Sequence, residues 1–335
     1  MNIVARCLTF FSAALISASA VAESPPYEGP VIDMHLHAYH ASGNGPPGMA
    51  LCPGVGEFLW DGKSPWAEHM VREVLNADCP NPMKGSLTDE ALRDETIAIM
   101  RELRVRGLLG GPADRVADWM AKGEDVFWPA RHLNPARDPE ITPQTLQTEF
   151  AAGEIVAISE ITSQYSNIMV DDPRMAPFWE MAEREGIPVG VHIGPGPPGT
   201  TQLYPDYRPQ NPNRLAEVLT KYPKLRLFVM HAGYPFVDDV KALLYSYPQL
   251  MVEVGVLQFG IPRAEYHAFM EDLTRAGFAD RIMFGSDQMN WPDTIKVGID
   301  AVNEASYLSS EQKKMILHDN AARFLRLDEN GMPAR

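Results

Sequence analysis

Val31-Ile32-Asp33-Met34-His35-Leu36-His37 reads as a buried β-strand that ends in two imidazoles one residue apart. Alternation along a strand puts residues i and i+2 on one face, so both rings point the same way. An open doubly wound sheet usually carries a Gly-rich turn after its first strand. Here histidines stand at that place instead.

Outward from this strand, strand-like and helix-like segments alternate almost to the end of the chain. Seven more strands are expected at 105–109, 126–133, 155–161, 188–193, 225–231, 250–256 and 281–287. A helix capped by Thr88 follows the first strand, with an apolar stripe of Leu92, Ile99, Met100 and Leu103. Further helices are expected at 112–122, 143–152, 173–186, 213–222, 236–247 and 264–276. Two more close the chain, at 293–307 and 309–325, and Ser309 with Gln312 makes a capping box for the last. Eight strands, each followed by a helix, is the pattern and size of a (β/α)8 TIM barrel. Residues 38–87 interrupt it with a long Gly-, Pro- and Asn-rich loop insertion, a length that is usually functional.

The first 22 residues read as a secretory signal peptide: Arg6, an apolar run over 7–20, then Ala20-Val21-Ala22 at the cleavage site. The run is shorter than the roughly 20 residues a membrane span needs. The expected organisation is therefore a signal at 1–22, a linker at 23–30, a barrel domain at 31–327 and a tail at 328–335. Export places the protein in the periplasm or outside the cell. Without the signal the chain has 28 basic against 44 acidic residues, a formal charge of −16. So acidic a chain does not suit nucleic acid or an anionic membrane. The expected partner is a small-molecule substrate; the oligomeric state, a homo-oligomer included, stays open. Cys52 and Cys79 share one loop region in an oxidising compartment, and a disulfide between them is expected.

In a barrel of this kind the active site lies at the C-terminal ends of the strands. His35 and His37 end the first strand, Glu160 lies on the fourth, His192 on the fifth, His231 on the sixth and Asp287 on the eighth. Each alone has a bland reading. A His-x-His occurs by chance, a lone His192 suits a core, Glu160 could pair with an arginine, and Asp287 could cap a helix. Jointly they put charge repeatedly at the ends of buried strands, where an uncompensated charge is costly. A shared metal ion removes that cost. Imidazoles with carboxylates suit Zn²⁺ first, with Mn²⁺ and other first-row ions compatible.

Asp33-Met34-His35-Leu36-His37, Val191-His192, Val229-Met230-His231-Ala232-Gly233 and Phe284-Gly285-Ser286-Asp287 together resemble the amidohydrolase superfamily. Asn320-Ala321-Ala322-Arg323-Phe324 in the last helix adds to the likeness. The most similar branch is the amidohydrolase-related group that includes aminocarboxymuconate semialdehyde decarboxylase, over about residues 31–327. The resemblance implies a metal-binding (β/α)8 barrel with His35, His37, His192 and Asp287 as ligands. It makes His231 a second-metal ligand or a catalytic residue. Many relatives with two metals place a modified lysine on the fourth strand; Glu160 stands near that place here, which leaves one or two ions.

The expected chemistry is hydrolysis of an amide, lactone or ester carbonyl by activated water, with Asp287 moving the proton and the metal or His231 polarising the carbonyl. A lyase, such as a non-oxidative decarboxylase or hydratase of a small carboxylic acid, is the alternative. A non-catalytic exported metal-binding protein is the third reading. Candidate substrate contacts are Arg131, with His132 beside it, at the end of the third strand, Gln164 and Tyr165 after the fourth, Tyr204, Tyr207 and Arg208 after the fifth, and Asn290 and Trp291 after the eighth.

Overall fold

The computed structural model describes residues 24–54, 60, 62–66, 68–70, 79–194, 196, 199 and 206–333. Eight parallel strands lie side by side in chain order. They are β1 (Val31–His37), β2 (Val105–Gly110), β3 (Phe127–Leu133), β4 (Ala157–Ile161), β5 (Val189–His192), β6 (Leu227–Met230), β7 (Met251–Glu253) and β8 (Ile282–Met283). Each is followed by a helix: α1 (Asp89–Glu102), α2 (Ala113–Gly123), α3 (Pro143–Ala152), α4 (Ala176–Glu185), α5 (Leu215–Lys221), α6 (Val237–Ser246), α7 (Arg263–Arg275) and α8 (Thr294–Asn303). This is the expected (β/α)8 barrel.

β1 and β8 share no ladder, yet backbone and side chain close the seam between them. Met34 N–H donates to Phe284 O at 3.0 Å, and Asp287 N–H to His35 O at 2.9 Å. The buried Asp33 carboxylate lies across the same seam: its Oδ1 accepts from His35 N at 2.9 Å and from Ser286 N at 3.0 Å.

Side chains sort into two cores. Ile32, Met34, Leu108, Trp128, Ala130, Phe228, Met230, Met251 and Met283 fill the barrel interior, joined by Ala321 and Leu325 of the last helix. Val31, Leu36, Leu109, Phe127, Ile158, Ile161, Val189, Val191 and Val229 face out and meet the helices. α1 buries Leu92, Thr96, Ile97 and Met100, while Ile99 and Leu103 of the expected stripe are only partly buried.

Simple alternation fails at two strands. In β1, Asp33 pairs with Gly107 and Leu36 with Leu109, so three steps on β1 face two on β2. In β4, Ile158 pairs with Val189 and Ile161 with Val191, again three steps against two. A β-bulge of this kind re-aims the side chains that follow it. Before the first bulge Ile32 and Met34 face inward; after it His35 and His37 do.

Both expected caps are present: Thr88 Oγ1 accepts from Ala91 N, and Ser309 with Gln312 forms the capping box. The last helix is not the single run expected. It passes through a π segment, Met315–Asp319, between Ser310–Lys314 and Asn320–Leu325. Wide turns leave carbonyls for other donors, and Ile316 O there accepts from Phe284 N of the β8 end at 2.9 Å.

The insertion after β1 carries a two-stranded ribbon, Ala50–Leu51 with Met83–Lys84, and the Cys52–Cys79 disulfide. The residues before β1 are tied down: Asn303 Oδ1 accepts from Tyr27 N at 2.8 Å, and the buried Lys313 ammonium donates to Ser24 O at 2.9 Å. The expected signal peptide at 1–22 lies outside the described residues.

Candidate metal centre

Five strands deliver six titratable side chains to the C-terminal mouth of the barrel, each strand by a local device. The bulge in β1 turns His35 and His37 inward, and the bulge in β4 does the same for Glu160. His192 is the last inward position of β5. His231 and Asp287 follow β6 and β8 with φ of +57° and +52°. A left-handed backbone at a non-glycine residue costs about 1–3 kcal/mol and concentrates at functional sites.

His35, His37, Glu160, His192, His231 and Asp287 are each at most 6% exposed, so none of their charges is paired with bulk water. His37 Nε2 lies 2.8 Å from Asp287 Oδ1, and His35 Nε2 lies 3.6 Å from the same oxygen. On the other side, His192 Nδ1 contacts Glu160 Oε1, and His231 Nε2 lies 3.1 Å from His192 Nδ1 and 3.6 Å from Glu160 Oε1. The six groups thus form two neighbouring triads, His35–His37–Asp287 and Glu160–His192–His231. His192 sits with Glu160 and His231, not in one group with the first triad.

The electrostatics follow from crowding. Burial pushes the Asp287 carboxyl up, but the imidazoles of His35, His37 and His231 hold it well below the ordinary carboxylate range. Glu160 is likewise held well down by His192 against its burial. Burial lowers His192, and His231 beside it lowers it further. Burial also works against a charged His35, yet Asp287 and Glu253 outweigh it and push it up to about 10.

The donors fit a divalent cation. His35 Nε2 is buried with no hydrogen-bond partner among the described residues. The 3.6 Å gaps from His35 to Asp287 and from His231 to Glu160 are too long for hydrogen bonds. Two ligands each about 2.0–2.1 Å from a tetrahedral Zn²⁺ stand roughly 3.3–3.5 Å apart, close to those gaps.

Other expected contacts are placed differently. Arg131 faces out of the barrel and pairs with Glu149 of α3 at 3.3 Å. Alternation from Trp128 and Ala130 sends His132 inward instead, with its Nε2 3.2 Å from His37 Nδ1. Arg208 is an exposed rim residue held by Asp206. Asn290 and Trp291 hold the insertion: Asn290 Nδ2 donates to Ala41 O, and Trp291 Nε1 to Met49 O at 2.9 Å. Tyr165 OH lies 3.0 Å from His192 Nε2, so it meets a site imidazole directly. Gln164 is buried, and its amide has no partner among the described residues. Tyr207 is exposed, and Tyr204 lies outside the described residues.

Sequence reasoning missed Glu253, Gln288 and the inward turn of His132. Glu253 is a charged residue in an apolar strand two positions after Met251, the same signal that singled out Glu160. The Gln288 amide brackets the His37 backbone, accepting from its N–H at 2.8 Å and donating to its O at 2.6 Å.

The family model described as Amidohydrolase matches residues 32–327. No curated protein matches the chain. Among solved structures, an uncharacterised TIM-barrel protein from Bordetella bronchiseptica is 19% identical with a TM-score of 0.58, covering 89% of this chain and 99% of that one. A dihydroxybenzoic acid decarboxylase from Polaromonas, solved with manganese and 2-nitroresorcinol, is 16% identical with a TM-score of 0.57, over 89% and 97%. A probable 2-pyrone-4,6-dicarboxylic acid hydrolase from Acinetobacter baumannii is 14% identical with a TM-score of 0.57, over 88% and 99%.

Proposed function

The chain belongs to the amidohydrolase family, and from that premise we propose that it is an exported, metal-dependent hydrolase acting on an amide, lactone or ester carbonyl of a small molecule. The observation that carries the reading is the pair of triads, six buried nitrogen and carboxylate donors with two donor pairs spaced as ligands rather than as hydrogen bonds.

His35, His37 and Asp287 would hold one divalent ion; Glu160, His192 and His231 would hold a second or face the substrate. The nitrogen-rich donor set suits Zn²⁺, with Mn²⁺ compatible. Such an ion supplies Lewis acidity, polarising a carbonyl and making water acidic enough to react near neutral pH. The protein's part is to place and move protons. Asp287, ionised between His35 and His37, takes a proton from the attacking water and returns it to the leaving group. His231, on the opposite triad, faces the carbonyl oxygen. Tyr165 and the unpartnered Gln164 amide offer polar contacts for the substrate. The described residues of the insertion are fastened by the disulfide and by Asn290 and Trp291.

Export belongs to the same proposal. It is supported by the N-terminal signal pattern and by a disulfide that suits an oxidising compartment.

A second reading, a non-oxidative decarboxylase of a small carboxylic acid, is favoured by the comparisons: the Polaromonas structure of the same fold is a decarboxylase, and so are several other similar structures. Metal analysis of the purified protein, with a panel of amides, lactones, esters and small cyclic carboxylic acids, separates the two. Metal-dependent hydrolysis without CO₂ release supports the leading reading. CO₂ release without hydrolysis replaces it with the second, and a protein that takes up no Zn²⁺ or Mn²⁺ refutes both.

A further inference from the structure

β7 contributes no member of either triad, yet its end touches both. Glu253 is fully buried on the inner face. Its Oε2 lies 3.1 Å from His35 Nδ1, while its Oε1 accepts the Gly255 N–H. Two residues on, Gly255 O lies 2.9 Å from His231 Nδ1. A carbonyl oxygen only accepts, and so does an ionised carboxylate. Both imidazoles must therefore carry a proton on Nδ1, which leaves Nε2 as the atom each presents to the site. Those Nε2 atoms are the ones 3.6 Å from Asp287 and from Glu160.

The geometry points to β7 as a positioning strand: Glu253 and Gly255 fix the orientation of His35 and His231 and turn both Nε2 atoms into the centre, each toward its own triad. The local sequence is built for this. A Cβ on Gly255 would come within 2.6 Å of Glu253 Oε1 and 3.1 Å of His35 Nδ1, and a Cβ on Gly285 would run into the Glu253 carboxylate. Only glycines at both places leave room for the acid. Partners of this kind on ligating histidines hold the ring and raise its basicity, and losing one typically weakens metal binding about 10–100-fold. One short strand thus couples a histidine of β1 to a histidine that follows β6, so a disturbance there reaches both triads. The effect on metal affinity rests on the metal-centre reading; the two hydrogen bonds do not.

The test uses the whole protein with ¹⁵N-labelled histidine, with and without Zn²⁺, beside Glu253→Gln and Gly255→Ala. Wild type is expected to show exchange-protected, far-downfield Nδ1–H resonances from His35 and His231 in both states. Glu253→Gln should shift or lose the His35 resonance, keep the His231 one and keep its circular dichroism. It should also weaken Zn²⁺ binding, in competition with a chelator, by about 10–100-fold and change the absorption spectrum of the Co²⁺-loaded protein. Gly255→Ala should move both resonances. Absence of the protected resonances in wild type overturns the proposal. So does a Glu253→Gln protein with unchanged Zn²⁺ affinity and Co²⁺ spectrum. Wild-type resonances without any Zn²⁺ or Co²⁺ binding would uphold the positioning role and refute the metal centre alone. Should Glu253→Gln fail to fold, the wild-type resonances and Gly255→Ala decide.

Discussion

His37 and Asp287 meet across the seam of the barrel, Nε2 to Oδ1 at 2.8 Å, although 250 residues of chain separate them. The contact joins the first strand to the turn after the last, so closing the barrel is also what assembles the site. In the proposed mechanism Asp287, buried and held ionised among imidazoles, shuttles the proton. Asp287→Asn keeps the shape and removes the basicity. Turnover is expected to fall by about 10²–10⁴-fold with the fold intact, checked by kcat beside circular dichroism. Undiminished turnover would refute the role.

Metal uptake should release protons. Without an ion, Asp287 and Glu253 overcome burial and hold His35 protonated up to about 10. The stabilisation that this group gives the metal-free fold is complete below its ordinary range near 6.5 and is lost as pH rises through about 10. Near neutral pH an incoming cation must displace that proton. Zn²⁺ titration calorimetry in two buffers of different ionisation enthalpy should show release of about one proton, and affinity that weakens as pH falls. Equal heats in the two buffers would contradict this.

Asp33 should set the stability of the seam. Its Oδ1 takes two buried N–H groups, from His35 and Ser286. Asp33→Ala leaves both unsatisfied and should cost about 2–4 kcal/mol. Burial also lifts the Asp33 carboxyl to about 7 against the pull of its donors. Between the unfolded value near 4 and that raised value, the folded chain binds a proton that the unfolded chain does not. Wild-type stability from this group therefore falls as pH rises. Asp33→Asn keeps an acceptor and cannot ionise. The stability difference should move in its favour by roughly 2–4 kcal/mol from about pH 4 to pH 8. Urea unfolding of the metal-free proteins across that range measures it, and a pH-independent difference would be the contrary result.

The Cys52–Cys79 disulfide closes a loop of 27 residues within the insertion. A cross-link of that span restrains the unfolded chain by about 3–4 kcal/mol. Replacing both cysteines with serine should make the insertion a site of proteolytic cleavage and raise KM more than it lowers kcat, since the centre itself sits on strands. Limited proteolysis and steady-state kinetics report both effects. A double-serine protein as resistant and as active as wild type would show that the insertion is held by its other contacts.

Much of the barrel is legible in the chain because each strand is one apolar run and each helix one amphipathic stripe. His35, His37, Glu160, His192, His231 and Asp287 stand out for the same reason, as polar groups at the ends of runs that otherwise want to be buried. Arg131 against His132 shows the limit. Both end the third strand, and only the phase of alternation says which enters the site and which pairs with Glu149.

By itself, the order of residues determined the eightfold alternation, the caps at Thr88 and Ser309 and the chemical types at the strand ends, since these depend on local periodicity and side-chain chemistry. Tertiary structure alone decided which way those groups face and whom they meet. The bulges in β1 and β4 shift the phase of the strands, and left-handed turns re-aim His231 and Asp287. β7 reaches His35 through Glu253 only because the barrel closes, while Gly255 meets His231 from the neighbouring strand. The contact to His35 spans 218 residues, and no local pattern encodes a distance that exists only once the strands are packed.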